Sequence, residues 1–283
     1  MSTTTTITAA DINKLRQTTG AGMMDCRKAL VESDGDFEKA IDYLRKKGQK
    51  VAALRSDREA KEGVIIAKTT ADHTTGFITT LACETDFVAK NSDFVAFAQS
   101  IMDIAVKNNV QSLEELQAAK LDGVSVADKI NDQVAKIGEK IQLARFERVD
   151  ATAVAAYIHG AYRMGVLVGL NKKSPAILEA GKDVAMQIAA MNPVAVDADS
   201  VSADTIAREK AIVTEQIKND PKMAGKPDEM IDKIAAGKLT AFFKENTLLA
   251  QPFVKDQGKT VAEYMKSIDA DVKVTQFKRV QLG

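Results

Sequence analysis

The sequence predicts an α+β protein in which short helices come first, two strand-rich halves follow, and a helical pair precedes the last strand. Three observations predict this class. Apolar residues recur every three or four positions before residue 55, β-branched runs begin after Gly63, and helical spacing returns without strand patterns between Ser202 and Thr247. The predicted units are residues 1–55, residues 56–150, residues 151–200 with 248–283, and residues 201–247.

The first unit is predicted to be a bundle of three short helices. Asp11 and Asp36 are placed to cap the first and third helices, because a carboxylate accepts hydrogen bonds from unpaired amides at a helix start. Gly20 and Gly48 stand where these two helices are predicted to end. The second helix places three residues on one face by their spacing: Met23, Cys26 and Leu30. Residues 46–62 are predicted as a helical or flexible connector.

The middle of the chain is predicted to hold two similar α+β halves. The order strand, strand, helix occurs twice, since amphipathic helices are predicted through Phe94 and Ile101 and again through Val184 and Ile188. The last strand is expected to rejoin the second half. Six strands are predicted in all, at residues 64–69, 77–83, 139–149, 154–158, 165–170 and 272–280.

Two helices with narrow apolar stripes are predicted between residues 201 and 247. Ser202 or Asp204 is placed to cap the first helix, and a turn over residues 220–227 leads into the second. So short a link favours antiparallel helices. Because charged residues flank the stripes, the pair is predicted to project as a coiled-coil arm, and whether this arm self-associates stays open.

The composition argues against several partners and locations. Lys plus Arg and Asp plus Glu both number 39, so no global field would attract nucleic acid or a membrane, and a nucleic-acid role would require a local basic patch. No apolar run approaches the roughly 18 residues of a membrane span. The first ten residues lack the features of a targeting signal, and the two cysteines are expected as free thiols in the cytoplasm.

The motifs of known chemistry are missing from the sequence. The Gly20-Ala21-Gly22 segment lacks the third glycine and the preceding strand of a dinucleotide site. The only histidines, His73 and His159, have no second ligand at helical spacing, so no metal or cofactor site is expected. A thiol enzyme that pairs Cys83 with His159 through the fold is a remote alternative. No catalytic residue is assigned.

Residues 85–88 follow the predicted first hairpin and permit two interpretations. Residues where a strand passes into a helix are often presented outward, which would expose Phe87. Phe94 follows seven residues later in a nearly repeated segment, so both rings would share one buried face if a single helix contained them. The spacing alone favours burial of Phe87.

Four segments of the sequence form distinctive motifs: Arg16 with Thr19-Gly20-Ala21-Gly22-Met23-Met24-Asp25-Cys26, then Thr85-Asp86-Phe87-Val88-Ala89-Lys90, then His159-Gly160 with Arg163, and Gln251-Pro252-Phe253-Val254. They resemble segments of the bacterial elongation factor Ts family, whose members release GDP from elongation factor Tu. Because the segments are spread along the sequence, the likeness extends over essentially the whole chain.

The resemblance implies a function and a set of site residues. It implies a guanine-nucleotide exchange factor without covalent chemistry, beginning with a ubiquitin-associated-like domain. Thr85, Asp86, Phe87 and Val88 would displace magnesium in the partner, and the other implied contacts are Arg16, Met23, Met24, His159 and Gly160. The alternative function is a helical protein-interaction module, in which the first unit binds a partner and no nucleotide exchange occurs.

Overall fold

The computed structural model describes residues 7–220 and 227–283. The helices of this part are α1 (Ala9–Thr19), α2 (Met23–Glu32), α3 (Phe37–Leu54), α4 (Asp86–Ala89), α5 (Ser92–Lys107), α6 (Leu113–Ala118), α7 (Val126–Ile137), α8 (Pro175–Met191), α9 (Ala203–Lys218), α10 (Asp228–Asn246) and α11 (Val261–Ile268). The strands are β1 (Glu62–Thr69), β2 (Thr75–Cys83), β3 (Lys120–Leu121), β4 (Val124–Ser125), β5 (Gln142–Asp150), β6 (Ala153–His159), β7 (Met164–Leu170), β8 (Pro252–Phe253), β9 (Asp256–Thr260) and β10 (Val274–Gln281). The architecture is α+β, with N-terminal helices, small antiparallel sheets and further helices toward the C-terminus.

The first helix has its N-cap three residues earlier than predicted. Thr8 is the N-cap, and its hydroxyl accepts a hydrogen bond from the Asp11 amide at 3.2 Å. The Asp11 carboxylate accepts one from the Thr8 amide at 3.0 Å, which completes a reciprocal capping box. The prediction of Asp11 as the cap is therefore wrong, although its carboxylate does bind an amide at this end. Gly20 ends α1 with a left-handed φ of 69°, as predicted.

The third helix continues through Gly48, so the predicted end there is wrong. Asp36 caps α3 as predicted, and its carboxylate accepts from the Lys39 amide at 3.1 Å. A Cβ at Gly48 would lie 2.9 Å from the Asn131 carbonyl oxygen and 3.1 Å from the Ala135 Cβ, both on α7. This glycine therefore permits close packing of two helices instead of ending one.

The first three helices share a small core of their own. Its members include Leu15, Cys26, Ala29, Leu30 and Ala40. Met23 was predicted on the same face as Cys26 and Leu30, but its side chain is half exposed because the buried part of α2 begins only at Cys26.

Two three-stranded antiparallel sheets form the centre of the molecule. The first has the order β1-β2-β5 and the second the order β10-β7-β6, so the last strand rejoins the second sheet as predicted. The register pairs Val64 with Leu81 in the first hairpin and His159 with Met164 in the second. Strand β5 begins three residues later than predicted, at Gln142, because the chain is still turning after α7.

The two sheets stack face to face, and helices cover their outer faces. Helix α5 packs on the first sheet and α8 on the second, whereas α7 packs against α3 and α11 against α8. Side chains from both sheets meet in the middle layer, including Ile65, Ile78, Val154 and Leu167. The approach is close, since a Cβ at Gly165 would lie 2.8 Å from the Ile65 Cγ2.

Helices α9 and α10 pack against each other as an antiparallel pair. Ser202 caps α9, and its hydroxyl accepts from the Thr205 amide at 3.2 Å. Ile217 near the end of α9 lies in one apolar cluster with Ile231 near the start of α10, and Ala235 belongs to the same cluster. Of the predicted turn, residues 221–226 lie outside the described residues.

Several short elements have no counterpart in the predictions from sequence. Between β2 and β5 these elements are α6, α7 and the β3–β4 hairpin. Near the C-terminus they are the β8–β9 hairpin and α11. Within residues 7–220 and 227–283, none of the helices combines the length and apolarity that crossing a bilayer requires.

Candidate functional site

The segment from Glu84 to Lys90 joins the end of β2 to α5 and presents an aromatic ring to solvent. Thr85 caps the short helix α4, and its hydroxyl accepts from the Val88 amide at 3.5 Å. Val88 and Ala89 pack against the core beside the first sheet. Phe87 points the other way and is 84% exposed.

The burial of Phe87 that the spacing favoured is wrong. Asn91 separates α4 from α5 and caps the second of these helices, with its side-chain oxygen 2.8 Å from the Asp93 amide. Phe87 and Phe94 therefore lie on different helices, so the seven-residue spacing does not put them on one face. Phe94 alone is buried, with 2% of its surface exposed.

The base of this segment is held by side chains from distant parts of the chain. The Glu139 carboxylate accepts hydrogen bonds from the amides of Glu84 at 3.1 Å and Thr85 at 3.0 Å, and from the Thr85 hydroxyl at 2.6 Å. Glu84 in turn accepts from the Lys140 amide at 2.5 Å and from the Arg55 guanidinium at 2.8 Å. Glu139 was absent from the predicted site, because the sequence analysis assigned it to a strand.

These hydrogen bonds also fix the charges of the segment. The Lys140 amide, followed by the Arg55 guanidinium, lowers the pKa of Glu84. The Lys90 ammonium lies 2.6 Å from the Asp86 carboxylate and lowers the pKa of that group. Both carboxylates are therefore ionised near neutral pH, and the segment carries fixed negative charges on both sides of Thr85.

The second candidate segment is the turn between β6 and β7. His159 and Gly160 are exposed, and the Tyr157 hydroxyl lies 2.9 Å from the His159 Nδ1. Gly160, Ala161 and Tyr162 all have left-handed φ values, of 61°, 51° and 70°. Two of these residues carry a Cβ that disfavours this conformation, so the surrounding contacts must hold the turn in place.

Those contacts place the turn at the same end of the stacked sheets as the Phe87 segment. The Tyr162 carbonyl accepts from the Ile65 amide at 2.8 Å, and the Arg163 guanidinium lies 2.7 Å from the Glu62 carboxylate. Glu62 is paired in register with Cys83, the last residue of β2 before the Phe87 segment. The fold thus brings together two segments that are about 70 residues apart in sequence.

The remaining predicted contact residues lie on the N-terminal helices. Arg16 is exposed on α1, while Met23 and Met24 are 52% and 71% exposed at the start of α2. The helices that carry these three residues share an apolar core of their own, which is separate from the core beside the Phe87 segment. One ion pair, between Arg55 and Glu84, links the end of α3 to the base of the Phe87 segment.

The thiol-enzyme alternative does not fit the geometry. Cys83 is fully buried, and its thiol donates to the Thr85 carbonyl at 3.2 Å. Burial, together with the negative charge of Glu139, raises the pKa of Cys83 to about 12, so the thiol stays protonated and weakly nucleophilic. Among the described residues, no group of three or more His, Cys, Asp or Glu side chains is arranged to hold a metal ion.

The geometry is that of a partner-binding protein. Its distinctive features are an exposed aromatic ring on a braced segment, an exposed histidine on a neighbouring turn, and exposed methionines on a helical unit. Exposed large apolar side chains of this kind are typical of surfaces that become buried in a complex.

Comparison with known proteins identifies the kind of partner-binding protein. A family model described as elongation factor TS matches residues 84–283. The chain is 51% identical over 278 residues to elongation factor Ts of Flavobacterium psychrophilum, covering 98% of this chain and 99% of the relative. It is 50% identical over 277 residues to elongation factor Ts of Christiangramia forsetii, with the same coverage. The chain belongs to the elongation factor Ts family.

Membership of this family confirms the function that the motifs implied. The protein is a nucleotide exchange factor of translation elongation and performs no covalent chemistry of its own. The family also implies elongation factor Tu as its partner.

Proposed function

We propose that the segment formed by Thr85, Asp86, Phe87 and Val88 docks on elongation factor Tu beside its bound GDP, with the Phe87 ring entering a pocket, and disturbs the geometry of the magnesium ion. GDP then leaves, and GTP can take its place. The observation that carries this proposal is the 84% exposure of Phe87 at the tip of a segment whose base is fixed. A ring held outward in this way is available to a pocket of a partner.

The size of the effect fits a wedge of one phenylalanine. Magnesium holds GDP only while its oxygen ligands keep near-ideal octahedral positions, so a small displacement of the site weakens the nucleotide. A hundredfold weakening corresponds to about 2.7 kcal/mol of coupling between the factor and the nucleotide. Burial of one phenylalanine side chain contributes about 1.5–3 kcal/mol, which is the required magnitude.

The wedge alone would not hold the complex together, and we assign further contacts to other exposed residues. His159 and Gly160 lie on the turn next to the Phe87 segment, where the same partner surface can reach both. Arg16, Met23 and Met24 supply a second patch on the N-terminal helices. Exposed methionine and arginine side chains are common anchors at protein interfaces.

The architecture supports a division of these tasks among four units. Residues 1–55 are proposed as a ubiquitin-associated-like partner-binding domain, and residues 56–150 as the first α+β subdomain. Residues 151–200 with 248–283 form the second, similar subdomain in this proposal. Residues 201–247 would form a coiled-coil arm, where exposed Ile212 and Met230 offer an apolar surface for self-association.

The proposed place of action is the cytoplasm, where translation elongation occurs. The balance of 39 basic and 39 acidic residues supports a protein that does not bind nucleic acid or membranes through its overall charge. Both cysteines are buried free thiols, which is compatible with a reducing compartment.

The substitution Phe87→Ala tests the wedge. We expect the variant to fold and to release a fluorescent GDP analogue from elongation factor Tu about tenfold to a hundredfold more slowly in rapid mixing, from the burial energy of the ring. Ile268→Ala is a matched control, because it removes an exposed apolar side chain at the end of α11, outside the proposed contacts, and should leave the release rate unchanged. A normal release rate for Phe87→Ala would show that another residue disturbs the magnesium site.

The exposure of Met23 and Met24 favours a second task for the first unit, which is to bind the partner whether or not GDP is present. Replacing both methionines by alanine is then expected to weaken binding of the GDP-bound and the GDP-free partner equally. Phe87→Ala is expected to weaken binding of the GDP-free partner selectively and to slow nucleotide release, because the coupling between factor and nucleotide is reciprocal. Binding and release measured on both variants of the full chain therefore separate the two tasks.

A further inference from the structure

We infer that Glu139 is a positioning residue for nucleotide exchange, because its carboxylate fixes the direction in which Phe87 projects. The residue does not belong to the Phe87 segment and comes more than 50 positions later in the chain. The inference rests on the proposed role of Phe87, and the experiment below separates failure of one from failure of the other.

Glu139 binds all of its donors at the base of the Phe87 segment. Its Oε1 accepts from the Thr85 hydroxyl at 2.6 Å, and its Oε2 accepts from the Glu84 and Thr85 amides at 3.1 and 3.0 Å. Both oxygens are thus occupied by two consecutive residues. Hydrogen bonds to an ionised carboxylate are shorter and stronger than those between neutral groups, so three of them hold the backbone firmly.

A second carboxylate makes the attachment reciprocal. Glu139 accepts the Glu84 amide, while Glu84 accepts the Lys140 amide at 2.5 Å. Two short stretches of backbone are therefore joined by a pair of carboxylate–amide bonds that run in opposite directions. The Lys140 ammonium continues the attachment by donating to the carbonyls of Ser56 and Arg58, at 2.6 and 2.8 Å.

Helix α4 needs such external support because it has only four residues, Asp86–Ala89. A helix of this length is not stable by its own hydrogen bonds, because the entropy lost in ordering the first turn exceeds the free energy gained from the hydrogen bonds of that turn. Val88 and Ala89 anchor one side of the helix in the core, but the Phe87 ring has no comparable packing. The direction of the ring therefore depends on how firmly the backbone before it is held.

A held segment matters for exchange because an unheld one must be ordered while the complex forms. That ordering uses part of the interaction energy that would otherwise disturb the magnesium site. Loss of Glu139 should accordingly lower the GDP release rate reached at saturating factor. The factor concentration that gives half of this rate should change little, because Phe87 and the other contact residues are still present.

Two variants of the full chain test this role. Glu139→Ala removes all three acceptors, and we expect release of a fluorescent GDP analogue from elongation factor Tu to slow about tenfold at saturation. Glu139→Gln keeps the length and one acceptor oxygen, and we expect about a threefold loss. Glu115→Ala is the matched control, because Glu115 also accepts a backbone amide, from Gln111 at 2.7 Å, in another loop. We expect this control to release GDP at the rate of the unaltered protein.

A direct measurement of the segment complements the rates. We expect the Glu84 and Thr85 amides to exchange hydrogen with solvent at least about tenfold faster in Glu139→Ala than in the unaltered protein, as followed by NMR in the free factor. If Glu139→Ala does not fold, Glu139→Gln carries the same comparison with a smaller expected change. Unchanged amide exchange in the folded variant would overturn the inference.

The decisive step is the combination with Phe87→Ala. If Glu139 acts through Phe87, the double variant releases GDP no more slowly than Phe87→Ala alone, because one interaction is lost only once. Two independent losses that multiply would overturn the inference while leaving the proposed wedge intact. A normal rate for Phe87→Ala alone would instead refute the wedge.

Discussion

Phe87 and Phe94 offer the same substitution in opposite surroundings, seven residues apart in the chain. Phe94 is 2% exposed and packs in the core of the first sheet with Ala98 and Ile101. Its replacement by alanine removes a large buried ring and leaves a cavity, so we expect the free energy of unfolding to fall by about 3–5 kcal/mol. Phe87 is 84% exposed, and its replacement should change the same quantity by less than about 0.5 kcal/mol.

Urea unfolding followed by circular dichroism measures both effects on equal terms. The midpoint should fall clearly for Phe94→Ala and stay close to that of the unaltered protein for Phe87→Ala, with equal slopes. Since the wedge proposal requires Phe87→Ala to impair nucleotide release without a loss of stability, the two assays together separate function from folding. A destabilisation by Phe87→Ala as large as that by Phe94→Ala would refute the reasoning, because it would mean that the ring is packed inside its own protein.

Two further predictions concern the buried thiol and the contact between the sheets. We expect iodoacetamide to label Cys83 at pH 8 at least about a hundredfold more slowly in the native protein than in the urea-unfolded chain, as mass spectrometry would show, because the thiol is buried and its pKa is raised to about 12. Gly165→Ala should lower the free energy of unfolding by about 1–3 kcal/mol, since the new Cβ would lie 2.8 Å from the Ile65 Cγ2. Gly237→Ala in α10 should raise it by about 0.5–1 kcal/mol, because apart from the backbone of α10 itself no atom of the described residues lies within 4 Å of that Cβ position. Effects of the same sign for both glycines in urea unfolding would contradict the close approach of the sheets.

The long, strongly patterned elements of the fold could be predicted from the sequence. β-Branched runs predicted both hairpins, and helical spacing predicted α5, α8 and α9. Strands β2 and β7 are buried along their whole length, and helices α5 and α8 each bury an apolar face, so the pattern of apolar residues indicates the type of these elements. The last strand was also predicted to rejoin the second half, and it does so by pairing with β7.

Positions that depend on a neighbour in space were harder to predict. Gly48 resembles a helix end in the sequence, but its role is to let α3 approach α7, which was not itself predicted. Helices α7 and α11 do have apolar residues at helical spacing, and the predictions from sequence omitted them, whereas α6 has only six residues and depends on packing against other elements. Asp11 lost its predicted role as cap because Ala9 and Ala10, both strong helix formers, extend the helix to Thr8.

For the candidate site, the sequence indicated which segment to consider but not the geometry of that segment. The resemblance of its motifs drew attention to Phe87, whereas the residue spacing gave the wrong burial, because one capping residue, Asn91, interrupts the helix. Nothing local in the sequence connects Glu139 with Thr85, since their hydrogen bonds join positions more than 50 residues apart. A contact of this range becomes visible only when the fold is known.

The relative weight of the contacts around the site indicates what keeps its two segments together. The ion pair between Arg163 and Glu62 is partly exposed, and pairs of this kind contribute at most about 1 kcal/mol. The Ile65 amide instead donates to the Tyr162 carbonyl from a position where its own side chain is fully buried. Gly165 follows in the next strand and lets this isoleucine pack directly on its backbone. The separation of the Phe87 segment from the His159 turn is therefore determined mainly by the packed layer between the sheets, so screening of surface charges by salt should leave it unchanged.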